Sequence, residues 1–154
     1  MNVVLYQPEI PSNTGNIIRT CVCTDSVLHM IRPFGFSMED RFIKRAGMDY
    51  FEFAKIKYYD SFEEYFEKNK DEQIFYFTTK SNISFTDVQY SKNAHLMFGP
   101  ESRGLPEYVR NIDKSHCVRI PMLENEHVRC LNLANSVNIG LYEALRQTGF
   151  EFFK

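Results

Sequence analysis

The sequence predicts an α/β fold in which a parallel sheet carries helices on both faces. Short runs of β-branched and aromatic residues alternate along the chain with segments whose apolar residues recur at helical spacing. Loops rich in Gly, Pro and Asn separate these segments. Because parallel strands need long crossover connections, the alternation favours strands joined through helices over antiparallel hairpins.

The first strand is predicted at Asn2–Tyr6, where an apolar run meets the turn-forming segment QPEIPSNTG. A helix should follow from about Gly15 to Thr24, because its apolar residues recur at helical spacing. Ser12 or Asn13 can cap the N–H groups at its start. The second strand is predicted at Val27–Ile31.

The rest of the chain continues the same alternation. The further predicted elements are helix Glu39–Ala46, strand Lys55–Tyr58, helix Phe62–Lys68, strands Gln73–Phe77, His95–Phe98 and Cys117–Ile120, and helix Asn132–Gln147. The closing helix has an apolar stripe made of Leu133, Ala134, Val137, Leu141, Ala144 and Leu145. No internal repeat or low-complexity segment interrupts this pattern.

The size of the chain suits one domain. With 154 residues it can bury a core of its own, so we expect one domain over residues 1–154. No run approaches the roughly 18 apolar residues of a membrane span, and the first residues lack the features of a signal peptide. We therefore expect a cytoplasmic protein with no membrane partner.

The charge balance gives little support to bulk nucleic-acid binding. A formal net charge of −2 argues against a protein that coats nucleic acid, although a local patch remains possible. Basic residues gather in the first third of the chain, at Arg32, Arg41, Lys44, Arg45, Lys55 and Lys57. A solvated surface is the simpler interpretation of such a cluster.

Three loops at strand ends concentrate the Gly, Pro and small polar residues: Gln7–Gly15, Gly99–Pro106 and Pro121–Asn132. In open α/β sheets, ligands bind at the carboxyl ends of the strands. In the first loop, Asn13 and Arg19 can present polar groups near the positive end of a helix, which favours phosphate or carboxylate. A capped helix with a surface arginine explains the same residues.

The second loop contains glycines that allow the backbone to approach a ligand closely. Glu101 and Arg103 can pair with each other or contact a substrate, whereas an ordinary turn with an exposed ion pair is the alternative. No Gly-Lys-Ser/Thr follows, so the loop is not a P-loop, and the usual dinucleotide signal is also absent from the sequence.

The third loop leads into a helix whose amides lower its helical propensity. The loss of helical propensity at these amides is explained if their side chains face a ligand or a partner. The amides are Asn132, Asn135 and Asn138. Capping alone also explains Asn132.

The cysteines indicate neither a disulfide framework nor a metal site. Without a secretory signal, Cys21, Cys23, Cys117 and Cys130 are expected to be reduced. Cys21 and Cys23 point to nearly opposite faces of a helix and cannot chelate one ion, so no metal is expected. His127 and Cys130 could form a nucleophilic dyad, but no third group is evident to orient the base.

Three blocks in the sequence occur together and in order: PEIPSNTGNIIRTC, LMFGPESRGLP and RIPMLENEHVRCLNLANSV. They resemble the three motifs of the SPOUT superfamily of RNA methyltransferases. The closest resemblance is to the short tRNA (cytidine/uridine-34) ribose methyltransferase group, the TrmL group. It extends to RAGMDYFEF and FTTK, and thus covers the chain from the first strand to the end.

The resemblance implies an α/β sheet whose C-terminal segment threads a loop to form a trefoil knot, a rare exception to unknotted topology. It also implies that S-adenosylmethionine (AdoMet) binds in the knot, without a metal. The implied cofactor-binding residues, acting largely through backbone groups, are Phe77, Gly99, Ile120, Cys130 and Leu131. Cys130 stands where the family commonly has Ser.

The implied chemistry is attack of a ribose 2'-hydroxyl on the sulfonium methyl group. The implied catalytic side chains are Asn13, Arg19, Glu101 and Asn132. Arg19 is often assigned as the base in this family, but a guanidinium with a pKa above about 12 is a poor base. We expect Arg19 to stabilise the developing oxyanion and an adjacent phosphate, while Glu101 and Asn132 orient groups around the methyl donor or the first loop.

The implied partner is a tRNA anticodon stem-loop. The expected RNA-binding residues are Arg129, Arg41, Lys44 and Arg45, with Lys57 as a further phosphate contact. An unstacked wobble base is expected to meet an aromatic side chain such as Phe34, Phe36 or Tyr142, for each of which core packing is the alternative.

The resemblance further implies a homodimer in which the first and last helices pack across a two-fold axis. Ile17, Ile18, Val137 and Leu141 are the expected contacts. Two other functions remain open: a non-catalytic RNA-binding or ribosome-assembly protein with the same fold, and 2'-O-methylation of another RNA position. The joint presence of the four implied catalytic side chains argues against the first.

Overall fold

The computed structural model of the chain describes residues 1–125 and 127–153, and within them six parallel strands form one sheet. The strands are β1 (Asn2–Tyr6), β2 (Val27–Ile31), β3 (Lys55–Tyr59), β4 (Ile74–Phe77), β5 (His95–Phe98) and β6 (Cys117–Val118). The α-helices are α1 (Pro11–Cys23), α2 (Arg41–Gly47), α3 (Phe62–Asn69), α4 (Glu107–Arg110) and α5 (Leu133–Gln147). Short 3₁₀ helices cover Met48–Phe53, Lys114–His116 and Glu151–Phe153. The predicted α/β class with a parallel sheet is confirmed.

The order of the strands across the sheet is β3-β2-β1-β5-β4-β6. The chain runs outward from β1 through β2 to β3. It then crosses to the other side of β1, where β4 forms first and β5 fills the position between β4 and β1. In register, Tyr6 lies opposite Ile31 and Leu5 opposite Phe98, so the carboxyl ends of these strands share one edge. The reversal between β1 and β5 is the position where an open α/β sheet usually binds its ligand.

Alternate strand residues enter two separate cores. Val3 and Leu5 of β1 pack on the face covered by α1, α2 and α5. Val4 and Tyr6 pack on the opposite face, which α3 and α4 cover. Both faces of a parallel sheet must be covered, because its strands are apolar on both sides.

The expected dimer contacts lie inside this core. Ile17, Ile18, Val137 and Leu141 each have 0% of their surface exposed and pack with the sheet. Their assignment to a subunit interface was wrong, because the apolar stripes of α1 and α5 are used within the chain. A contact between copies through α1 and α5 would have to use other residues of these helices.

Helix α1 begins at Pro11, about four residues before the predicted start. Its N-cap is Ile10, which makes no side-chain capping bond, so the predicted cap at Ser12 or Asn13 was wrong. Proline at the first helical position has a suitable φ and no N–H to satisfy. Asn13 therefore lies within the first turn.

The end of the sheet also differs from the prediction. β6 stops at Val118 rather than Ile120, and Arg119 continues the pairing by a bridge to Ser84. Helix α4 was not predicted, because four residues are too few to show helical periodicity. In the described part of the chain, no helix is long and apolar enough to cross a membrane.

Candidate active site

The first two loops are joined at the reversal of the sheet by reciprocal hydrogen bonds. The Glu101 carboxylate accepts from the backbone N–H groups of Glu9 (2.8 Å) and Ile10 (3.1 Å). The Glu9 carboxylate accepts in return from the backbone N–H (2.9 Å) and the hydroxyl (2.8 Å) of Ser102. Charge-assisted bonds of this kind are stronger than neutral ones, so they fix the two loops against each other.

Asn13 links this pair of loops to the third loop. Its Nδ2 donates to the Glu101 carboxylate over 3.1 Å, and its Oδ1 accepts from Nδ2 of Asn132 over 2.9 Å. Asn132 also caps α5, since its Oδ1 accepts from the N–H groups of Ala134 and Asn135. We call the bonded residues Glu101, Asn13 and Asn132 the amide chain. The start of α5 is thereby connected to the end of β5 through a residue of α1.

The turn that follows β5 depends on two glycines. A Cβ on Gly99 would lie 2.2 Å from backbone atoms of Gly104 and Leu105, which leaves no room for any other residue. Gly104 has a φ of +67°, in the left-handed region that favours glycine. The turn can therefore close tightly beside the carboxyl end of β5.

A cavity of about 650 Å³ opens beside the amide chain. All five implied cofactor-binding residues line it, namely Phe77, Gly99, Ile120, Cys130 and Leu131. Its walls come from the ends of β4 and β5 and from the loop before α5. Its size is within the range of small-molecule and cofactor sites.

Arg19 lies on the other side of the amide chain. It lines a second cavity, of about 560 Å³, together with Asn13, Asn132 and further polar residues of α1 and α5. Asn13 and Asn132 line both cavities and thus form a shared wall between them. The Arg19 guanidinium carbon is 5.2 Å from the centre of the Tyr50 ring, in cation–π geometry.

Positive side chains surround the first cavity. Lys80, Arg103, Arg110 and Arg129 line it. Arg103 donates to Oε1 of Gln7 over 2.9 Å, so the alternative of an Arg103–Glu101 pair is wrong. The Glu101 carboxylate is instead directed at the first loop. The first cavity can therefore accept anionic groups.

The residues expected to bind RNA are divided between two faces of the sheet. Arg41, Lys44 and Arg45 are exposed on α2, and Lys44 pairs with Glu39 over 2.7 Å. Lys57 points to the opposite face, since its strand neighbour Ile56 packs on the side of α1 and α2. Lys57 is therefore separated from the α2 residues by the sheet, and its phosphate contact stays a prediction.

The cysteines are free thiols in the described structure. Burial raises the pKa of Cys21 to about 12, which makes it unreactive. Cys130 lies exposed on the wall of the first cavity. Across residues 1–125 and 127–153, no group of three or more His, Cys, Asp or Glu side chains is arranged to hold a metal ion.

Some residues at the site were missed by sequence reasoning. They include Arg110 in the first cavity, Asn16 and Thr20 in the second, and Tyr50 beside Arg19. Nothing in the spacing of Arg110 or Tyr50 indicated that the fold would bring them to the site. The repeated amides after Asn132 were a usable signal, since Asn135 and Asn138 line the second cavity.

Known proteins resemble this chain over nearly its whole length. A Listeria innocua protein provisionally named tRNA (cytidine(34)-2'-O)-methyltransferase is 49% identical over 152 residues, which cover 97% of this chain and 89% of that protein. The tRNA (cytidine(34)-2'-O)-methyltransferase of Aeromonas hydrophila is 46% identical, with 97% and 96% covered.

A solved structure described as giving insight into the 2-OH methylation of C/U34 on tRNA has the same fold. Its TM-score is 0.90 at 40% identity, covering 96% of this chain and 95% of that one. Residues 1–142 match the SpoU rRNA Methylase family. The resemblance inferred from the three motifs is thus confirmed, and the chain belongs to the SpoU rRNA Methylase family.

Proposed function

We propose that this protein transfers a methyl group from AdoMet to the ribose 2'-hydroxyl of the wobble pyrimidine, cytidine or uridine 34, of a tRNA. The names of the relatives from Listeria and Aeromonas support this substrate, as does the solved structure concerned with C/U34. The family name refers to rRNA, so the tRNA substrate depends on these nearer relatives. With a tRNA substrate, the protein acts in the cytoplasm.

The first cavity is the proposed AdoMet site. Its volume suits a cofactor, and its lining includes Phe77, Gly99, Ile120, Cys130 and Leu131, the residues that the resemblance implies for AdoMet. When bound there, AdoMet supplies an electrophilic methyl group. No metal takes part in this proposal.

The amide chain is the single observation that carries the proposal. Asn13 and Asn132 form the wall between the two cavities, so a donor in the first and a ribose in the second would meet at these side chains. Holding two reactants in line accounts for a large part of many enzymatic rates. Glu101 keeps Asn13 in place through its bond to Nδ2, which makes Glu101 a positioning residue.

Arg19 is the proposed electrostatic group of the second cavity. A guanidinium stays charged, so Arg19 stabilises the oxyanion that develops on the ribose and binds a neighbouring phosphate. The proton passes to phosphate or water. Arg129 at the first cavity and Arg41, Lys44 and Arg45 on α2 hold other phosphates of the anticodon stem-loop.

The proposed working form is a homodimer of single-domain subunits. The exposed side chains of α5 include Ile139 and Tyr142, 39% and 47% exposed, which are available for contact with a second copy now that the inner stripe is assigned to the core. Two copies would also give more surface to grip RNA than one small subunit offers.

We also propose that the C-terminal segment forms the trefoil knot. After β6 the chain runs beside the connection between β4 and β5. The Arg119 N–H donates to the Ile83 carbonyl (2.8 Å), and the Phe85 N–H donates to the Arg119 carbonyl (3.0 Å). The chain then enters α5, which contacts β5 and α1 on the far side of β4. This path supports a C-terminal segment threaded through the β4–β5 connection.

The function is tested by methyl transfer from labelled AdoMet into bulk tRNA lacking the modification, followed by mass spectrometry of the nucleosides. The expected product is a 2'-O-methylated pyrimidine that maps to position 34. A methyl group at a different RNA position would mean that this position, and not nucleotide 34, is the substrate. Cofactor binding without any incorporation would favour the non-catalytic RNA-binding function.

A further inference from the structure

A group of aromatic side chains and one arginine lies at the carboxyl ends of β2 and β3. The Phe34 and Phe36 rings are stacked, 5.8 Å apart and 18° from parallel. The Arg32 guanidinium carbon is 5.5 Å from the centre of the Phe34 ring and 5.2 Å from that of Tyr58. We call Arg32, Phe34, Phe36 and Tyr58 the aromatic platform.

The aromatic platform adjoins the candidate active site through the backbone. The Gly35 N–H donates to the Pro8 carbonyl over 2.9 Å. A Cβ on Gly35 would come within 2.8 Å of the Cα of Glu9, so the two loops are in close contact. Glu9 in turn donates its N–H to Glu101 of the amide chain. At about 4.8 Å per strand, the ends of β3 and β1 are roughly 10 Å apart.

Part of the aromatic platform remains exposed to solvent. Phe34 and Phe36 are partly buried against the core, but Tyr58 remains 39% exposed and the Arg32 side chain 45% exposed. Arg32 bonds Asp60 through one of its five N–H donors, in an exposed ion pair that by itself adds little stability. A planar guanidinium beside an exposed ring forms a surface on which a nucleobase can stack.

Helix α2, which lies in the chain between Phe36 and Tyr58, exposes Arg41, Lys44 and Arg45. These cations are the proposed phosphate contacts of the same RNA. Arg32 itself interacts with the carboxylates of Asp60 and Glu64, so the platform offers a base a stacking surface rather than net positive charge. Phe34 and Phe36, which the sequence predicted for such a contact, are partly buried, whereas Arg32 and Tyr58 are exposed.

We propose that the aromatic platform stacks one unpaired base of the anticodon loop next to the methylated nucleotide, with Tyr58 and Arg32 as the contacting side chains. This inference rests on the proposed function and adds a binding site for a neighbouring nucleotide. By holding that base, the aromatic platform selects RNA in which the loop is open beside the wobble position. The contact recognises the π-face of the base and tolerates changes of its identity.

The test measures the binding of Tyr58→Ala and Tyr58→Phe to an anticodon stem-loop RNA with a wobble pyrimidine. It also uses a series of the same RNA, each with a single abasic nucleotide at a different position of the loop. The series covers all loop positions except the wobble position. We expect Tyr58→Ala to weaken binding of the intact RNA about five- to a hundredfold, the usual range for one lost base–aromatic stack. Tyr58→Phe keeps the ring and should stay within about twofold.

The position dependence decides the outcome. At one abasic position wild type and Tyr58→Ala should bind equally, because the base that Tyr58 contacts is already missing. Arg32→Ala should show the same position dependence. The proposal would be overturned if Tyr58→Ala lowered the affinity for every abasic RNA by the same factor as for the intact RNA. It would also be overturned if Tyr58→Phe bound the intact RNA as weakly as Tyr58→Ala does.

Methylation of the intact RNA by the wild-type protein separates this inference from the proposed function. If wild type methylates the wobble ribose but Tyr58→Ala lowers the affinity for every abasic RNA by the same factor, the stacking proposal is wrong and the proposed function stands. If wild type neither binds nor methylates the stem-loop, both fail. Thermal unfolding of each variant identifies any loss of binding that comes from an unfolded protein.

Discussion

Asn13 uses both ends of its amide in the site. Its Nδ2 donates to Glu101 and its Oδ1 accepts from Asn132, so the side chain has one orientation that satisfies both partners. An aspartate at this position could not donate to Glu101 and would place a second carboxylate beside it. The wall between the cavities therefore requires an amide and not merely a small polar residue.

The first residue-scale prediction concerns Arg19→Ala. Turnover should fall roughly a hundredfold or more, as for the loss of other oxyanion-stabilising groups. AdoMet affinity should stay within a few-fold, because Arg19 lines the second cavity and the proposed cofactor-binding residues line the first. Single-turnover methyl transfer and calorimetric titration measure the two effects separately. Undiminished turnover would remove Arg19 from the mechanism.

The second prediction concerns Glu101→Gln. The carboxylate accepts three hydrogen bonds, from the N–H groups of Glu9 and Ile10 and from the Asn13 amide. A glutamine has one oxygen and turns a donor toward these donors. The free energy of unfolding should therefore fall by about 1–3 kcal/mol.

Denaturant titration measures this change in stability. Glu52→Gln, at an exposed carboxylate, is the matched control and should leave stability within about 0.5 kcal/mol of wild type. Equal stability of Glu101→Gln and Glu52→Gln would mean that the carboxylate does not fix the loops.

At the scale of elements, three strands were predictable to the residue, whereas the ends of several other elements were not. β1, β2 and β5 have the predicted bounds, because each is a short apolar run bordered by turn-forming residues. The start of α1 was missed because Pro11 lies in a segment that also resembles a turn. Asn132 was recognised as a possible cap, but its bond to Asn13 depends on tertiary packing that spacing does not encode.

The element-scale prediction compares two glycines of the turn after β5. Gly99→Ala should destabilise the protein by more than about 2 kcal/mol, since the Cβ would meet backbone atoms at 2.2 Å. Gly104→Ala should cost about 1–2 kcal/mol, from its positive φ alone, because its Cβ would meet open space.

Thermal and denaturant unfolding of both variants test this ranking, and AdoMet titration should show the greater loss for Gly99→Ala. If Gly104→Ala were the more damaging change, the close approach at Gly99 would not be what shapes the cavity wall.

The whole molecule buries two histidines on the α3 face of the sheet. His29 and His95 have ring centres 4.8 Å apart, and each bonds a tyrosine hydroxyl, from Tyr59 and Tyr65. Burial lowers the pKa of His29 to about 3 and that of His95 to about 4. Both rings are therefore neutral in the folded protein at neutral pH.

This burial predicts loss of stability in mild acid. The unfolded chain takes up protons at these histidines below about pH 6.5, whereas the folded protein does so only near pH 3 to 4. Stability is complete above pH 6.5 and should fall with decreasing pH, by about 1.4 kcal/mol per pH unit for each histidine.

Denaturant unfolding between pH 4 and 7 measures this slope. His95→Gln should reduce the slope whatever its effect on stability at neutral pH. A slope unchanged by that substitution would mean that other groups cause the acid sensitivity.

The proposed function of the whole molecule is the direct transfer of a methyl group from AdoMet to the 2'-oxygen of the wobble ribose. The most direct measurement compares methyl transfer from labelled AdoMet to two anticodon stem-loop RNAs that differ only in the 2'-hydroxyl of the wobble pyrimidine. We predict incorporation into the RNA that has this hydroxyl and none into its 2'-deoxy counterpart. Equal incorporation into both would contradict ribose methylation at the wobble position.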